Sequence, residues 1–328
     1  MFKKKIITSI AYAVKKYPTC FFAITNFCNA RCDFCNIWKQ SGRFPDIADV
    51  KKAIDNLYRL NIRLIQFTGG EPLLYPHIFE AIRHASMKGI LISMATNGSL
   101  ITRNTAKKLK KSGINHIGIS LDHYKKDIYE KNKKIPDLLN KVRNAVTFLK
   151  KEKVSSEAFI LINRHNYRDM KKTIEFAESL GFVQINLCYP MNINETTFTL
   201  GGSSVDFSGE ELIEIFSKVK EMKRQGYRIN NPTEALNNNI NFIRGKNVRY
   251  PCFGGYKIFY LDWNLDLYKC MNTNEKITNV LHPDGIKIKK QKCNKCMLQC
   301  FRDLSIYYSY NPIKSNLKVL FKHKAYRF

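Results

Sequence analysis

The chain has 328 residues, 44% of them hydrophobic and 12% aromatic, which is enough to bury a sizeable core and too apolar for a disordered protein. No run reaches the roughly 18 uninterrupted apolar residues of a membrane span, so no spanning helix is predicted. The formal net charge of +28 suits either an anionic partner or a solvated lysine-rich surface; dispersal of the lysines along helices favours the surface. Ten cysteines, most of them in two tight groups, suit metal ligation better than disulfides. The start has a basic run and a short apolar stretch, but Lys15 and Lys16 interrupt it and no small-residue cleavage site follows, so the expected location is the cytoplasm.

Residues 20–25 (CFFAIT) read as a buried strand, followed by a polar loop with three cysteines. Val50, Ile54 and Leu57 give residues 46–60 a helical stripe. Further strands are predicted at 64–68, 90–96, 116–120, 157–163 and 183–188, with helices at 77–88, 104–112, 137–152 and 168–180. Strands alternating with helices of about 10–15 residues imply parallel βα units. Six units predict an α/β fold, a partial (β/α)6 TIM-like barrel, with chemistry at the C-terminal ends of its strands. Those ends carry the cysteine triplet, Gly69-Gly70-Glu71-Pro72, Asn97-Gly98, Ser120-Leu121-Asp122, Asn163-Arg164, and Asn186 with Cys188.

The beat stops after Pro190, and a Gly/Ser-rich stretch near 201 marks a boundary. Ser208 and Glu211 have capping-box spacing before a helix to about residue 225. An Asn-rich loop leads to the second cysteine group. The expected divisions are a basic amphipathic segment at 1–17, the barrel at 18–200, a helical linker at 201–248, a cluster-binding module at 249–305 and a basic amphipathic tail at 306–328.

Cys28, Cys32 and Cys35 lie at C-x3-C-x2-C spacing directly after a strand. Thiolates are soft ligands for Fe–S clusters, zinc or Cu(I). A closed zinc site needs four ligands, and no fourth Cys or His is near. Three thiolates on a cubane leave one iron open. This loop, with Phe34 before its last cysteine, resembles the signature of the radical S-adenosylmethionine superfamily. The Thr68-Gly69-Gly70-Glu71-Pro72 segment is similar to the one that contacts the methionine amino group in that family, and Ser120 and Asp122 match a ribose-contacting position. The resemblance spans roughly residues 18–190 and rests on the order of these motifs. It implies a [4Fe–4S] cluster whose open iron chelates S-adenosylmethionine, reductive cleavage to methionine and a 5′-deoxyadenosyl radical, and a flavodoxin- or ferredoxin-type reductant. Gly69 and Gly70 are expected to let the backbone approach the cofactor, with Asn97 on the same rim.

Cys252 and Cys270 flank a predicted hairpin turning near Asn264, and Cys293, Cys296 and Cys300 follow. On spacing alone a structural zinc site remains open. The arrangement also resembles the SPASM/twitch subfamily, which implies one auxiliary [4Fe–4S] cluster on Cys252, Cys270, Cys293 and Cys296. Cys300 either replaces one ligand or stays a spare thiol. The subfamily's Asp-Gly turn is Trp263-Asn264 here.

Cys188 is a candidate hydrogen-atom donor at a strand end, or a packed small hydrophobe. Cys20 is expected to be structural, and Glu157 to lie on the far face; His123, His165 and Tyr189 are candidate substrate or proton contacts. Fewer than twenty residues precede the first strand, where many peptide-maturing relatives carry a leader-gripping domain. A small metabolite, sugar or lipid is therefore the expected substrate, with peptide or RNA modification as alternatives; nucleic acid is disfavoured because no aromatic platform is evident. The basic ends suit peripheral contact with an anionic membrane.

Overall fold

The computed structural model of the protein describes residues 17–191 and 201–309. Its first strand, β1 (Thr19–Thr25), is buried along its whole length. Cys20, Phe22 and Ile24 join the apolar layer beneath the helices, while Phe21 and Ala23 face a smaller inner cluster with Tyr260 and Phe301. A strand apolar on both faces needs cover on both. Five strands follow in parallel: β2 (Leu64–Gly69), β3 (Leu91–Thr96), β4 (His116–Ser120), β5 (Ser155–Leu161) and β6 (Gln184–Cys188). The helices between them are α1 (Ile47–Arg59), α2 (Ile78–Met87), α3 (Arg103–Ser112), α4 (Lys126–Lys133), α5 (Leu138–Lys151) and α6 (Met170–Leu180).

Every expected strand and helix of this barrel lies within two residues of its predicted bounds. Helix α4 is the addition; its eight mostly polar residues bury only Tyr129, Asn132 and Lys133, too little apolar periodicity to read in advance. The strand register sets the lumen. Phe21 lies opposite Gln66, Gln66 opposite Ser93, Ser93 opposite His116, and Gly118 opposite Glu157. Glu157, third in β5 and in register with Gly118, therefore faces the lumen, 3.0 Å from His116 Nε2, and not the far face.

The sheet does not close. β1 pairs on its other side with β7 (Ile258–Leu261), which continues antiparallel into β8 (Asp266–Tyr268) and β9 (Lys276–Asn279). The cysteine-rich module thus extends the barrel's own sheet. At the opposite edge Ile185 bridges Ile229, between α7 (Gly209–Arg224) and α8 (Thr233–Ile243), so residues 201–248 form barrel wall where a linker was expected. The capping box is present: Ser208 Oγ accepts from Glu211 N at 3.2 Å and Glu211 Oε2 from Ser208 N at 2.8 Å. Helix α8 occupies the stretch read as an Asn-rich loop, where Asn238 and Asn239 are buried.

The last helix, α9 (Gln299–Ser309), crosses the expected boundary at 305. Its Tyr308 hydroxyl donates to Tyr17 O at 3.0 Å and lies 2.9 Å from Thr19 Oγ1, tying the module to the start of β1. The basic amphipathic segments expected at the two ends fall almost wholly at residues 1–16 and 310–328, outside the described residues. No described helix is long and apolar enough to cross a membrane.

Candidate active site

The cysteine loop leaves β1 at Thr25 and is pinned at its base. Buried Asn26 accepts from Arg43 N at 2.7 Å and donates to Ser41 O at 2.8 Å, closing the loop on itself. Three neighbours then fix its course. Gly70 N and Glu71 N at the end of β2 donate to Thr25 O and Phe27 O at 2.8 and 2.7 Å. Asn97, after β3, donates to Asn29 Oδ1 at 2.8 Å, and Arg31 N donates to Lys133 O at 3.1 Å. Cys28, Cys32 and Cys35 are half-buried on this frame.

Burial pushes the Cys28 thiol up to about 12 and the Cys35 thiol up to about 11, with the neighbouring cysteines adding to both. Cys32 is raised by burial and partly relieved by the Lys133 ammonium. Desolvated thiols that repel one another as thiolates need a cationic centre to hold them deprotonated.

Gly69 (φ +115°) and Gly70 are required by the protein itself. A Cβ on Gly69 would stand 2.2 Å from Thr25 O, and one on Gly70 2.0 Å from Phe27 O. These glycines let β2's end approach the cysteine loop closely. Thr68 is half-buried and in register with lumen-facing Ala23. Glu71 is fully buried: its carboxylate accepts from Leu73 N at 3.1 Å, Thr96 Oγ1 at 2.7 Å and Asn97 N at 2.8 Å. It straps β2 to β3, with both oxygens engaged inside the protein.

Ser120 is half-buried and faces the lumen beside Phe159. Asp122, expected at a ribose, is buried. Its Oδ1 accepts from Leu161 N at 2.9 Å, and Oδ2 meets Lys133 Nζ at 2.6 Å. Lys133 is equally buried and lies 5.0 Å over the Phe34 ring. Asp122 raises its ammonium's pKa against the opposing effect of burial, so it stays charged beside Cys32.

The second group is assembled from separated segments. Cys252 and Cys293 exchange backbone hydrogen bonds at 2.8 and 2.9 Å. Burial raises the Cys270 thiol, and Cys296, Cys252 and Cys293 add to the shift in that order, so these four thiols share one neighbourhood. The hairpin turns as expected near Asn264, whose Oδ1 accepts from Arg43 Nη1 of the first loop at 3.0 Å; Leu265 takes the left-handed conformation (φ +61°). Cys300, in the first turn of α9, is raised by burial and next by Cys188. Among the described residues, no three of His, Cys, Asp or Glu gather closely enough to hold a single ion.

Comparison with known proteins agrees with this arrangement. The profile of the Radical SAM superfamily matches residues 22–177, from within β1 to α6. Residues 22–177 form a radical SAM domain. An AdoMet-dependent heme synthase of Oleidesulfovibrio alaskensis is 26% identical over 161 residues, 48% of this chain and 42% of that protein. A probable GTP 3′,8-cyclase of Thermococcus kodakarensis is 30% identical over 188 residues, 54% of this chain and 59% of that protein. The chain thus spans about half the length of these curated relatives. Among solved structures, Streptococcus suis SuiB bound to S-adenosylmethionine has a TM-score of 0.63 at 13% identity, covering 96% of this chain and 71% of that one. Native anSMEcpe with bound AdoMet also scores 0.63, at 16% identity over 92% and 99% of the two chains. These likenesses show the fold alone, an open parallel α/β barrel.

The residues present fit the cluster that the radical SAM family implies. Backbone N–H groups two residues on aim at three sulfurs: Ala30 N at Cys28 Sγ (3.4 Å), Gly254 N at Cys252 Sγ (3.4 Å) and Asn272 N at Cys270 Sγ (3.3 Å). Such bonds tune Fe–S centres. A buried network on α9 is built around Asp303, Gln299 and Asn231, which sequence reading missed. Asp303 of α9 accepts from Asn231 Nδ2 at 2.7 Å, Gln299 Nε2 at 2.8 Å and the Tyr189 hydroxyl at 3.0 Å. Burial pushes the Asp303 carboxyl up to about 6, and Gln299 also donates to Asn186 Oδ1 at 2.9 Å. Tyr189 is thus a structural partner more than a free proton carrier. Cys188 faces the lumen opposite Leu161, its thiol pushed up to about 12 by burial and next by Asp122. His123 is buried, its Nδ1 accepting from Lys125 N at 2.9 Å, and burial lowers its pKa; His165 stays a half-buried loop residue. Cys20 is wholly buried, in keeping with a structural role.

Proposed function

We propose that the protein abstracts hydrogen from an organic substrate, with Cys28, Cys32 and Cys35 holding the S-adenosylmethionine-binding cluster and Cys252, Cys270, Cys293 and Cys296 holding an auxiliary [4Fe–4S] cluster. The observation that carries this reading is the first loop: three desolvated thiols on a frame bonded to β2, the β3 end and α4, with no fourth ligand among the described residues. A cluster bound there supplies the electron that cleaves S-adenosylmethionine to methionine and a 5′-deoxyadenosyl radical. The chain's own part is to orient and exclude. Ser120 offers a lumen-facing hydroxyl to the cofactor, Phe34 and the Lys133–Asp122 pair wall off Cys32, and Cys188 keeps a neutral S–H in the lumen. In this reading Cys300, whose thiol is raised by burial and next by Cys188, is the spare thiol.

The substrate reading is a small metabolite, sugar or lipid. A cavity of about 350 Å³ between the β6 end and the second module is lined by Pro190, Met191, Phe207, Leu212, Phe242 and Met297, with Lys295 and Asp206 among its polar groups. That size and mixed polar and apolar lining suit a small amphipathic molecule. A peptide substrate is the second reading, motivated by SuiB with its precursor peptide and anSMEcpe with the Cp18Cys peptide, both like this chain over nine-tenths of its length. The test is anaerobic reconstitution, iron and sulfide analysis, and 5′-deoxyadenosine assay with dithionite and S-adenosylmethionine. The expected result is about eight irons per chain, falling to about four, with deoxyadenosine lost, in a Cys28→Ala, Cys32→Ala, Cys35→Ala variant. Zinc in place of iron, or no deoxyadenosine from the parent, would defeat the reading.

A further inference from the structure

Helices that return antiparallel to the strands put their C-terminal ends, and the turns into the next strand, at the base of the barrel, opposite its mouth. In this chain those turns are basic. Residues 59–63, 87–90, 110–115 and 150–154 together hold eight basic residues and one acidic, Glu152. Arg59, Lys110, Lys111, Lys150, Lys151 and Lys153 are exposed, and among the described residues only Lys88 of the eight is ion-paired, with Asp55 at 2.9 Å. The mouth is balanced by comparison: residues 122–137 mix five lysines with four carboxylates, and Lys126, Lys133 and Lys134 each meet a carboxylate.

Lysines in a last helical turn also complement the helix dipole. That does not account for Met87, which stands 81% exposed at the end of α2. A Cβ on Gly113 would stand 2.2 Å from Ser86 Oγ, so the turn carrying Met87 abuts the end of α3, where Lys110 and Lys111 lie. Tyr308, near the end of α9, donates to Tyr17 O and lies against Thr19 at the start of β1, so the chain enters and leaves the described fold at this same base. By sequence, residues 1–16 and 310–328 hold ten basic residues and no Asp or Glu, interleaved with Phe2, Ile6, Ile10, Leu317, Leu320 and Phe321.

We propose that the base of the barrel rests on an anionic lipid bilayer, with headgroup phosphates around its lysines and Met87 at the boundary with the acyl chains. The charge and the geometry both point to this partner: unpaired cations on separate turns of one face can meet many phosphates of a flat surface at once. No described helix is long and apolar enough to cross the bilayer, so the contact is peripheral. In this orientation the mouth points away from the bilayer and substrate reaches it from water. That favours a metabolite, sugar or peptide over a lipid of the same membrane. The proposal is independent of either cluster.

The test is co-sedimentation of the full chain with vesicles of phosphatidylcholine alone, or mixed with phosphatidylglycerol, at rising salt. The parent should bind only the mixed vesicles and be released by salt. Lys110→Glu, Lys111→Glu, Lys150→Glu, Lys151→Glu and Lys153→Glu together should weaken binding by about a hundredfold or more. Glutamine at the same five positions should weaken it by about tenfold or more, and it supplies the comparison where reversed charge at helix ends costs the fold. Lys39→Glu, Lys125→Glu, Lys131→Glu, Lys171→Glu and Lys172→Glu, exposed on the mouth side, make the same charge change and should retain most of the binding. Met87→Trp should add an emission that shifts to the blue with mixed vesicles. Undiminished binding in the base variants would overturn the proposal, and so would an equal loss in the mouth variant, which would make net charge responsible. An unshifted emission from bound Met87→Trp chain would show the base facing water and overturn it as well. A parent that ignores the mixed vesicles would overturn it outright, and RNA taken up in their place would assign the basic face to nucleic acid.

Discussion

The first cysteine group occupies eight consecutive residues, whereas the second is drawn from separate places between 252 and 300. One is a loop held by neighbouring strand ends, and its cysteines share a single short frame. The other exists only because β7 pairs with β1 and Cys252 pairs with Cys293, so its ligands come together when the module folds. In the proposed reading, the local group keeps a coordination position open for chemistry, while the dispersed group is closed and couples metal binding to folding. Losing the first should cost activity; losing the second should also cost stability.

The largest effect that would sharpen this contrast is chemical. Cys28→Ala should reduce deoxyadenosine formation to background, and iron retained on the second group would show that the two sites load independently. Next comes the buried Lys133–Asp122 pair. Lys133→Met leaves a buried carboxylate without its partner and should destabilise the fold by about 3–5 kcal/mol in denaturant melts, with Asp122→Asn added to it recovering much of the loss. A Lys133→Met chain as stable as the parent would remove the pair from the account.

Asp303 provides a pH signature for the α9 side. Its folded value of about 6 lies above the roughly 3.9 of an unfolded aspartate, so the native chain holds more protons between them. Stability must then fall as pH rises through that window and level off above it, by up to about 3 kcal/mol from this group. Asp303→Asn should flatten that part of the profile in paired thermal melts; an unchanged slope would contradict the assignment. The smallest expected effect is at the capping box, where Ser208→Ala should cost about 1 kcal/mol and leave deoxyadenosine formation unaltered.

The barrel was legible because each strand is a short apolar run and each flanking helix, α4 aside, has a clear stripe. The first loop was legible from spacing. What sequence could not give was which polar residues the protein consumes itself. Glu71 and Asp122 sit in motifs that suggest cofactor contact, yet three donors hold one and Lys133 with Leu161 N holds the other. Lys133, Gln299 and Asp303 gave no local signal, because their partners lie on other segments, and a buried Lys or Asp looks in sequence like a solvated one. Helix α8 hid behind buried Asn238 and Asn239, whose type reads as loop. The wall formed by 201–248 depends on the Ile185–Ile229 bridge, a tertiary contact with no sequence period.

The central claim is that the two groups differ in openness, and electron paramagnetic resonance of two reduced variants tests it directly. Cys252→Ala with Cys270→Ala should retain a cluster whose spectrum shifts when S-adenosylmethionine is added. The Cys28→Ala, Cys32→Ala, Cys35→Ala variant should retain one whose spectrum does not respond. A response in the second variant, or none in the first, would contradict the assignment of the open site to the loop after β1.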